Sequence, residues 1–416
     1  MCGEKAASRE HVFPAALGGR RTNKGIYCSH HNNAFSKHAA KITDQLRHFN
    51  ALLAVRPDHS KSAKPHQFTS ERGEQISVFN GEIRRSNPPT VQGPGMITGH
   101  LELGGPEALR AVGYIALTFF AQHYPDEARL PAFNEFKAFI EYETANEYVW
   151  WEGLETDAAL PPNPFLFGHT IMLMVSPGTG NVKALVSFFQ GMTFGVHLGS
   201  VPSLAQHSTT IFIDPHAEYP PDDIKVQAAN SCLLDVRKPE PLQSHLERMV
   251  RENVVTDGIS NLLNKINRWK FETKAAPAVR RLNAVRTQPS ALRQELEVVL
   301  SEMRSYVFQM LNYLAVSMPK QLSHIPGSDG FAEIFKEIAT LDKSQNSGVS
   351  PLTKYSIINA MDALIEEMEE ALQEKEIDAD YLWRLLRTSY GVGLIGPKVL
   401  APILAELIRQ AKAGSR

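Results

Sequence analysis

Cysteine is scarce: the 416 residues hold three, Cys2, Cys28 and Cys232. Three are too few for a disulfide framework, which excludes the small secreted scaffolds that depend on one. Long apolar runs are missing as well. No stretch approaches the ~20 residues of a membrane span, and the start, MCGEKAASREH, lacks the apolar segment of a secretory leader. These absences predict a cytoplasmic protein with no membrane partner. Net charge is also small, at −2. What is present, 43% hydrophobic and 21% charged residues, is ordinary for a soluble globular chain, and the length allows two or three domains with separate cores.

The small net charge conceals a division. Residues 1–64 hold eleven Lys/Arg against four Asp/Glu, a surplus of +7, so the remaining residues sum to −9. Seven of the fifteen histidines lie in the first 70 residues. A basic amino-terminal module on an acidic remainder is the footprint of a part that meets a phosphate backbone. Near the other end, nine acidic residues and one Lys fall between Asp362 and Asp380. That run reads as a solvated helix face, one that would repel nucleic acid.

One stretch, Arg9 to Asn33, concentrates the chemistry. Glu10 and His11 are followed by Pro14, then the pair Gly18-Gly19, then Asn23, then Cys28-Ser29-His30-His31 running into Asn32-Asn33. Val12 and Phe13 suit a short strand beside His11, the glycines a turn, and Gly25-Ile26-Tyr27 a second strand. From His30 the pattern turns helical, with Phe35, Ile42, Leu46, Phe49 and Leu53 mostly at helical spacing. Strand, turn, strand and helix would bring the first histidine and the late asparagines to one place.

This order and spacing resemble the HNH endonuclease family, in the branch with the pattern E-H-hydrophobic-x-P-x-x-L-G-G followed by C-x-x-[CH]-N-N. The resemblance covers roughly the first fifty residues. It implies a ββα-metal finger that cleaves phosphodiesters, with His11 as general base, Glu10 as a metal ligand, and Asn32 or Asn33, Asn32 by preference, as the second. Asn23 matches the middle asparagine, which in the family braces the loop and orients the base. The sequence departs from the pattern twice. The family more often has Asp where Glu10 stands, and its structural zinc uses two C-x-x-C pairs. Here Cys2 corresponds to the second cysteine of the first pair and Cys28-x-x-His31 to the second pair. A remnant set of Cys2, Cys28 and His31, with His30 as a fourth ligand, is what the resemblance leaves.

The chemistry suits these residue types. Phosphodiester hydrolysis needs an activated water, neutralised phosphate charge and help for the leaving oxygen. Histidine titrates near neutrality and serves as a base. A hard divalent cation on oxygen ligands stabilises the charge that develops. Mg²⁺ or Mn²⁺ is the expected ion, with Ni²⁺ and Zn²⁺ as alternatives. Arg20, Arg21 and Lys24, between the two strands, and Lys37, beyond the motif, are the expected backbone contacts to nucleic acid. His38 is a further residue near the motif, read as either a phosphate contact or a solvated helix position.

Past the motif, residues 56–73 read as a polar linker or exposed loop, and Gln75–Arg84 as a hairpin about Asn80-Gly81. Pro106–Gln122 opens with proline at a first helical position and is apolar nearly all round, hence a buried helix. A second helix is expected over Pro131–Tyr142. His169–Val175, Val182–Phe189 and Met192–Leu198 read as an antiparallel meander packed on the two helices. His169 and His197 lie on these strands and receive no role. The helix pair and its meander also loosely resemble the segment that comes after the finger in larger proteins of the HNH branch. From about Pro239 onward the pattern is helical, clearest over Ser290–Met318 and Thr353–Gln373. Gly391-Val-Gly-Leu-Ile-Gly396 spells a dinucleotide fingerprint, but a helical segment precedes it where a strand is required.

The expected class is therefore α+β. The expected domains are a finger at 1–55, a linker with hairpin at 56–105, an α+β middle domain at 106–235 and a helical domain at 236–416. The function these readings favour is a metal-dependent endonuclease on DNA, with RNA as the other polymer, in restriction or phage defence. The helical end would supply a protein partner or a homo-oligomer contact. The competing reading is a finger that has lost catalysis and only grips nucleic acid or stabilises a complex.

Overall fold

Two short strands, β1 (Glu10–His11) and β2 (Thr22–Asn23), begin the fold and lead into a long helix, α1 (Ser29–Leu52). A computed structural model of the chain describes residues 4–58, 60, 62–69, 75–79, 81–85, 105–142, 148–204, 207–218, 224–229, 241–252, 254–307, 310, 351–388, 390–391, 393–398, 401, 405 and 409. The protein is mixed α and β with antiparallel sheets. It divides into two compact units, one of residues 1–87 and 98–266, the other of 88–97 and 267–416. The motif, the hairpin stretch and the meander thus share the first unit.

The second strand differs from the sequence expectation. It is Thr22–Asn23, paired Glu10↔Asn23 and His11↔Thr22, and not Gly25–Tyr27. Asn23 Oδ1 accepts the Gly25 amide hydrogen at 2.7 Å. That turn ends the strand early and frees Tyr27 to bury its ring under the next helices.

Helix α1 buries His31, Phe35, His38, Ile42, Leu46 and Phe49, steps of three and four that keep one face inward. It packs on α2 (Pro106–His123), which opens with proline as expected. Phe35 and Tyr27 meet Tyr114 of α2 with ring centroids 5.6 and 5.7 Å apart. His38 is consequently buried, its Nε2 3.1 Å from the Ile140 carbonyl, and is not a surface phosphate contact. The polar linker contains a strand that sequence reading missed. β3 (His66–Thr69) pairs with β4 (Gln75–Phe79), and β4 with β5 (Glu82–Arg85) across a turn where Gly81 has φ +78. The Gly81 amide donates to Ala51 O at 2.9 Å, fastening this small sheet to the end of α1.

The larger sheet has six strands in the order β11-β10-β7-β8-β9-β6. Its members are β6 (Val149–Trp151), β7 (His169–Val175), β8 (Asn181–Phe188), β9 (Met192–Ser200), β10 (His207–Ile213) and β11 (Ile224–Ala229). The expected meander is its β7-β8-β9 centre. β10 and β11 extend it at one edge and β6 at the other. Every residue of β7 is buried, so the sheet is covered on both faces at this strand. Helix α2 packs against β7, β8 and β9. Met172, Met174, Leu185 and Trp150 make a separate cluster with Leu160. The helix expected over Pro131–Tyr142 begins as a single tight turn at Pro131–Phe133 and is α-helical over α3 (Asn134–Tyr142).

In the second unit, Phe271, Leu282, Leu296, Leu300, Leu364 and Leu382 share one core. The expected helix over Ser290–Met318 is interrupted at Met303: it runs over Pro289–Glu302 and resumes over 304–307 and at Met310, while residues 308–309 and 311–318 lie outside the described ones. The Thr353–Gln373 expectation matches the helix Pro351–Glu374. Its acidic run faces solvent, with Asp362, Glu366, Glu370 and Glu374 exposed at successive turns. Gly391 lies in helical structure after the helix Ala379–Arg387, which removes the strand a dinucleotide site needs. No helix among the described residues is long and apolar enough to cross a membrane.

Candidate functional site

The loop between β1 and β2 is held by three contacts, one to strand β7 of the large sheet and two to the segment that follows β10, each to residues far along the chain. Leu17 O accepts from His169 Nε2 at 3.0 Å. Gly18, at φ +91, lies so close to Pro215 that a Cβ there would come within 2.5 Å of its Cα. Arg20 Nε donates to Ala217 O at 3.0 Å. Gly19 is equally constrained, since a Cβ would meet Phe13 O at 2.1 Å. Only glycine fits at both positions, which is the physical reason for the Gly-Gly of the motif.

Neighbouring residues of a strand project to opposite sides. Glu10 is 9% exposed and takes the hydroxyl hydrogen of Tyr114 on Oε1 at 2.7 Å. Burial raises its carboxyl above the ordinary carboxylate range, and the Tyr114 hydrogen bond and His11 oppose that rise. Tyr114 itself belongs to a buried chain: Thr118, bonded to the Tyr114 carbonyl, meets the Tyr27 hydroxyl at 2.9 Å. Burial pushes both phenols well above their usual range. His11, by contrast, keeps 21% of its side chain exposed and sets Nε2 3.0 Å from Asp58 Oδ2.

Asn23 stands opposite Glu10 on the ribbon and braces the turn to Gly25. Asn32 and Asn33 both lie in the first turns of α1. They differ in one respect: Asn32 Oδ1 is buried with no hydrogen-bond partner, whereas Asn33 is exposed. An orphaned buried acceptor costs about 1–3 kcal/mol, and a bound cation is one way to satisfy it. The carboxylate of Glu10 and the amide oxygen of Asn32 are hard donors that fit Mg²⁺ or Mn²⁺.

Cys28 and His31 are both buried, with Sγ 3.1 Å from Nδ1. On its other side the His31 ring reaches Glu141 Oε1 through Nε2 at 3.2 Å. A carboxylate behind a histidine is the arrangement that orients a zinc ligand. These two residues therefore fit two positions of a structural zinc. Cys2 lies outside the described residues, and His30 is exposed with its ring edge-on to His31. Among the described residues no group of three or more His, Cys, Asp or Glu is placed to hold a metal.

The basic residues separate. Arg21, Lys24 and Lys37 are exposed. Arg20 is 8% exposed and directed inward: besides Ala217 O, its guanidinium donates to Arg56 O at 2.8 Å and lies 3.6 Å from Asp58. It braces the loop, so the expected surface contact at this position is replaced by a structural one. His169 is a core histidine. Burial lowers its titration to about 3, and its ring lies among Phe13, Phe188 and Phe189. Asp58 was missed by sequence reading because it sat in what looked like a linker. Its only local signal was an acidic residue among basic ones. The chain matches no protein-family model, no curated protein and no solved structure.

Proposed function

We propose that the protein is a metal-dependent endonuclease of the HNH type, hydrolysing phosphodiester bonds of DNA in restriction or defence against foreign DNA. One observation carries this reading: the antiparallel pairing of Glu10–His11 with Thr22–Asn23 on a ribbon that leads into the helix bearing Asn32. In this reading His11 takes a proton from water as the water oxygen bonds to phosphorus. The P–O bond to the sugar oxygen then breaks, that oxygen departing with the bonding pair and taking a proton from solvent, while His11 is left as an imidazolium that returns its proton to solvent. Glu10 and Asn32 would hold a divalent ion, which when bound supplies charge neutralisation at the phosphate. Arg21, Lys24 and Lys37 hold the backbone.

The burial of Glu10, whose Oε1 is already taken up by the Tyr114 hydroxyl hydrogen, favours a second reading, in which the finger grips nucleic acid without cutting it. A nicking assay on supercoiled plasmid separates the two, with Mg²⁺, Mn²⁺, Ni²⁺ and Zn²⁺ each offered and an RNA substrate run in parallel. The nuclease reading expects metal-dependent relaxed circle from the wild type and a loss of about 10²-fold or more in His11→Ala. Salt-sensitive plasmid binding with no cleavage under any ion supports the second.

A further inference from the structure

We propose that Asp58 is the positioning residue of His11: it accepts the Nε2 hydrogen, fixes the Nε2–H tautomer, and so makes Nδ1 the nitrogen that receives the proton from water. This rests on the nuclease reading and adds to it a residue outside the motif. In a neutral imidazole one nitrogen donates and the other accepts, so the partner of one decides the chemistry of the other. A carboxylate can only accept. The 3.0 Å contact between Asp58 Oδ2 and His11 Nε2 therefore places the hydrogen on Nε2.

Asp58 is itself held in place, as a positioning group must be. Its amide donates to Ala15 O at 3.2 Å, in the turn that follows β1. The next residues close a turn through Ser60 N to Pro57 O at 3.0 Å. Arg20, buried and braced by Arg56 O and Ala217 O, stands 3.6 Å from the other carboxylate oxygen, Oδ1. The chain leaving α1 thus returns to the strand that bears His11, and Asp58 arrives on a backbone anchored on both sides. A general base displaced by about 1 Å loses on the order of a hundredfold in rate, so an anchored partner has a clear purpose at this position.

Two measurements on the full-length protein test the proposal. Imidazole ¹⁵N–¹H correlation spectra, with the His11 signals identified by their loss in His11→Ala, should show Nε2 protonated and Nδ1 not. In Asp58→Ala, and in Asp58→Leu, which has the same branched shape and no acceptor, should the alanine protein fail to fold, that preference should collapse to a mixture. Plasmid cleavage kinetics should show kcat lowered about ten- to a hundredfold with KM within about twofold, and partial recovery in Asp58→Glu. Asp58→Ala added to His11→Ala should cost nothing further. A mixed or Nδ1–H tautomer in the wild type, or the same tautomer with and without Asp58, overturns the proposal whatever the cleavage result. Cleavage unaffected by Asp58→Ala overturns it too. An Asp58-dependent Nε2–H signal in a protein that does not cut supports the tautomer assignment and overturns the nuclease reading instead.

Discussion

Tyr114 donates its hydroxyl hydrogen to Glu10 Oε1 across 2.7 Å and 104 residues of chain. The bond ties α2 to the first strand of the motif and gives a buried carboxyl its donor. Tyr114→Phe keeps the ring and removes the donor, leaving Glu10 buried without it. We expect a loss of about 1–3 kcal/mol in unfolding free energy, read by urea denaturation. A change within ~0.3 kcal/mol would mean that Glu10 finds another donor.

Cys28, His31 and Glu141 lead to a metal prediction. If Cys28 and His31 hold zinc, the purified protein should carry about one equivalent by elemental analysis, and Cys28→Ser should release it. Glu141→Gln should weaken zinc affinity by about 10–100-fold through the histidine it supports. Protein without zinc whose α1 remains folded would rule the site out.

The exposed cations predict a salt dependence. Replacing Arg21, Lys24 and Lys37 together with Ala should reduce the slope of log affinity against log salt by roughly two to three units, at ~0.9 per phosphate on duplex DNA. Replacing Arg293 and Arg384, exposed cations of the helical unit, should leave it unchanged. Arg20→Ala should act differently, lowering stability through the loop it braces. The reverse pattern would move the binding surface to the helical unit.

His169 predicts a pH dependence. Its folded titration near pH 3 lies below the ordinary 6.5, so the unfolded chain binds the extra proton. Stability should therefore rise with pH between about 3 and 6.5, by up to about 1.4 kcal/mol per unit, and flatten above. Glu10, shifted upward, contributes with the opposite sign. His169→Phe suits the surrounding rings and should flatten the profile at a lower overall stability. Glu10 is common to both proteins, so the difference between their profiles isolates His169. Fluorescence of Trp150 and Trp151, in a background with Trp269 and Trp383 replaced by Phe, reports this unit alone. Identical pH profiles for the two proteins would reject the assignment.

Much of the fold was legible from local pattern. Pro106 starts α2 because proline sets the first helical turn and lacks only a hydrogen that position does not use. β7 has the limits read from its apolar run, and Pro351–Glu374 follows its 3.6-residue repeat. The hairpin at Gly81 followed from a turn residue able to take positive φ. Where reading failed, a neighbour distant in sequence had overruled local preference. β3 looked like linker because its four residues become a strand only beside β4. Tyr27 looked like strand until its ring was drawn under α2.

The amino-acid sequence by itself determined the periodicities, the Gly-Gly turn, the order of Glu10, His11, Asn23 and Asn32, and the charge division between the first 64 residues and the rest. These depend on composition and on spacing along the chain. Tertiary structure alone decided that Arg20 faces inward while Arg21 and Lys24 face solvent, that Glu10 is buried on Tyr114, and that Asp58 meets His11. Each of those depends on a contact spanning from 36 to 197 residues. Adjacent residues of one loop or strand have nearly the same local environment in sequence, and only the surface they fold against distinguishes them.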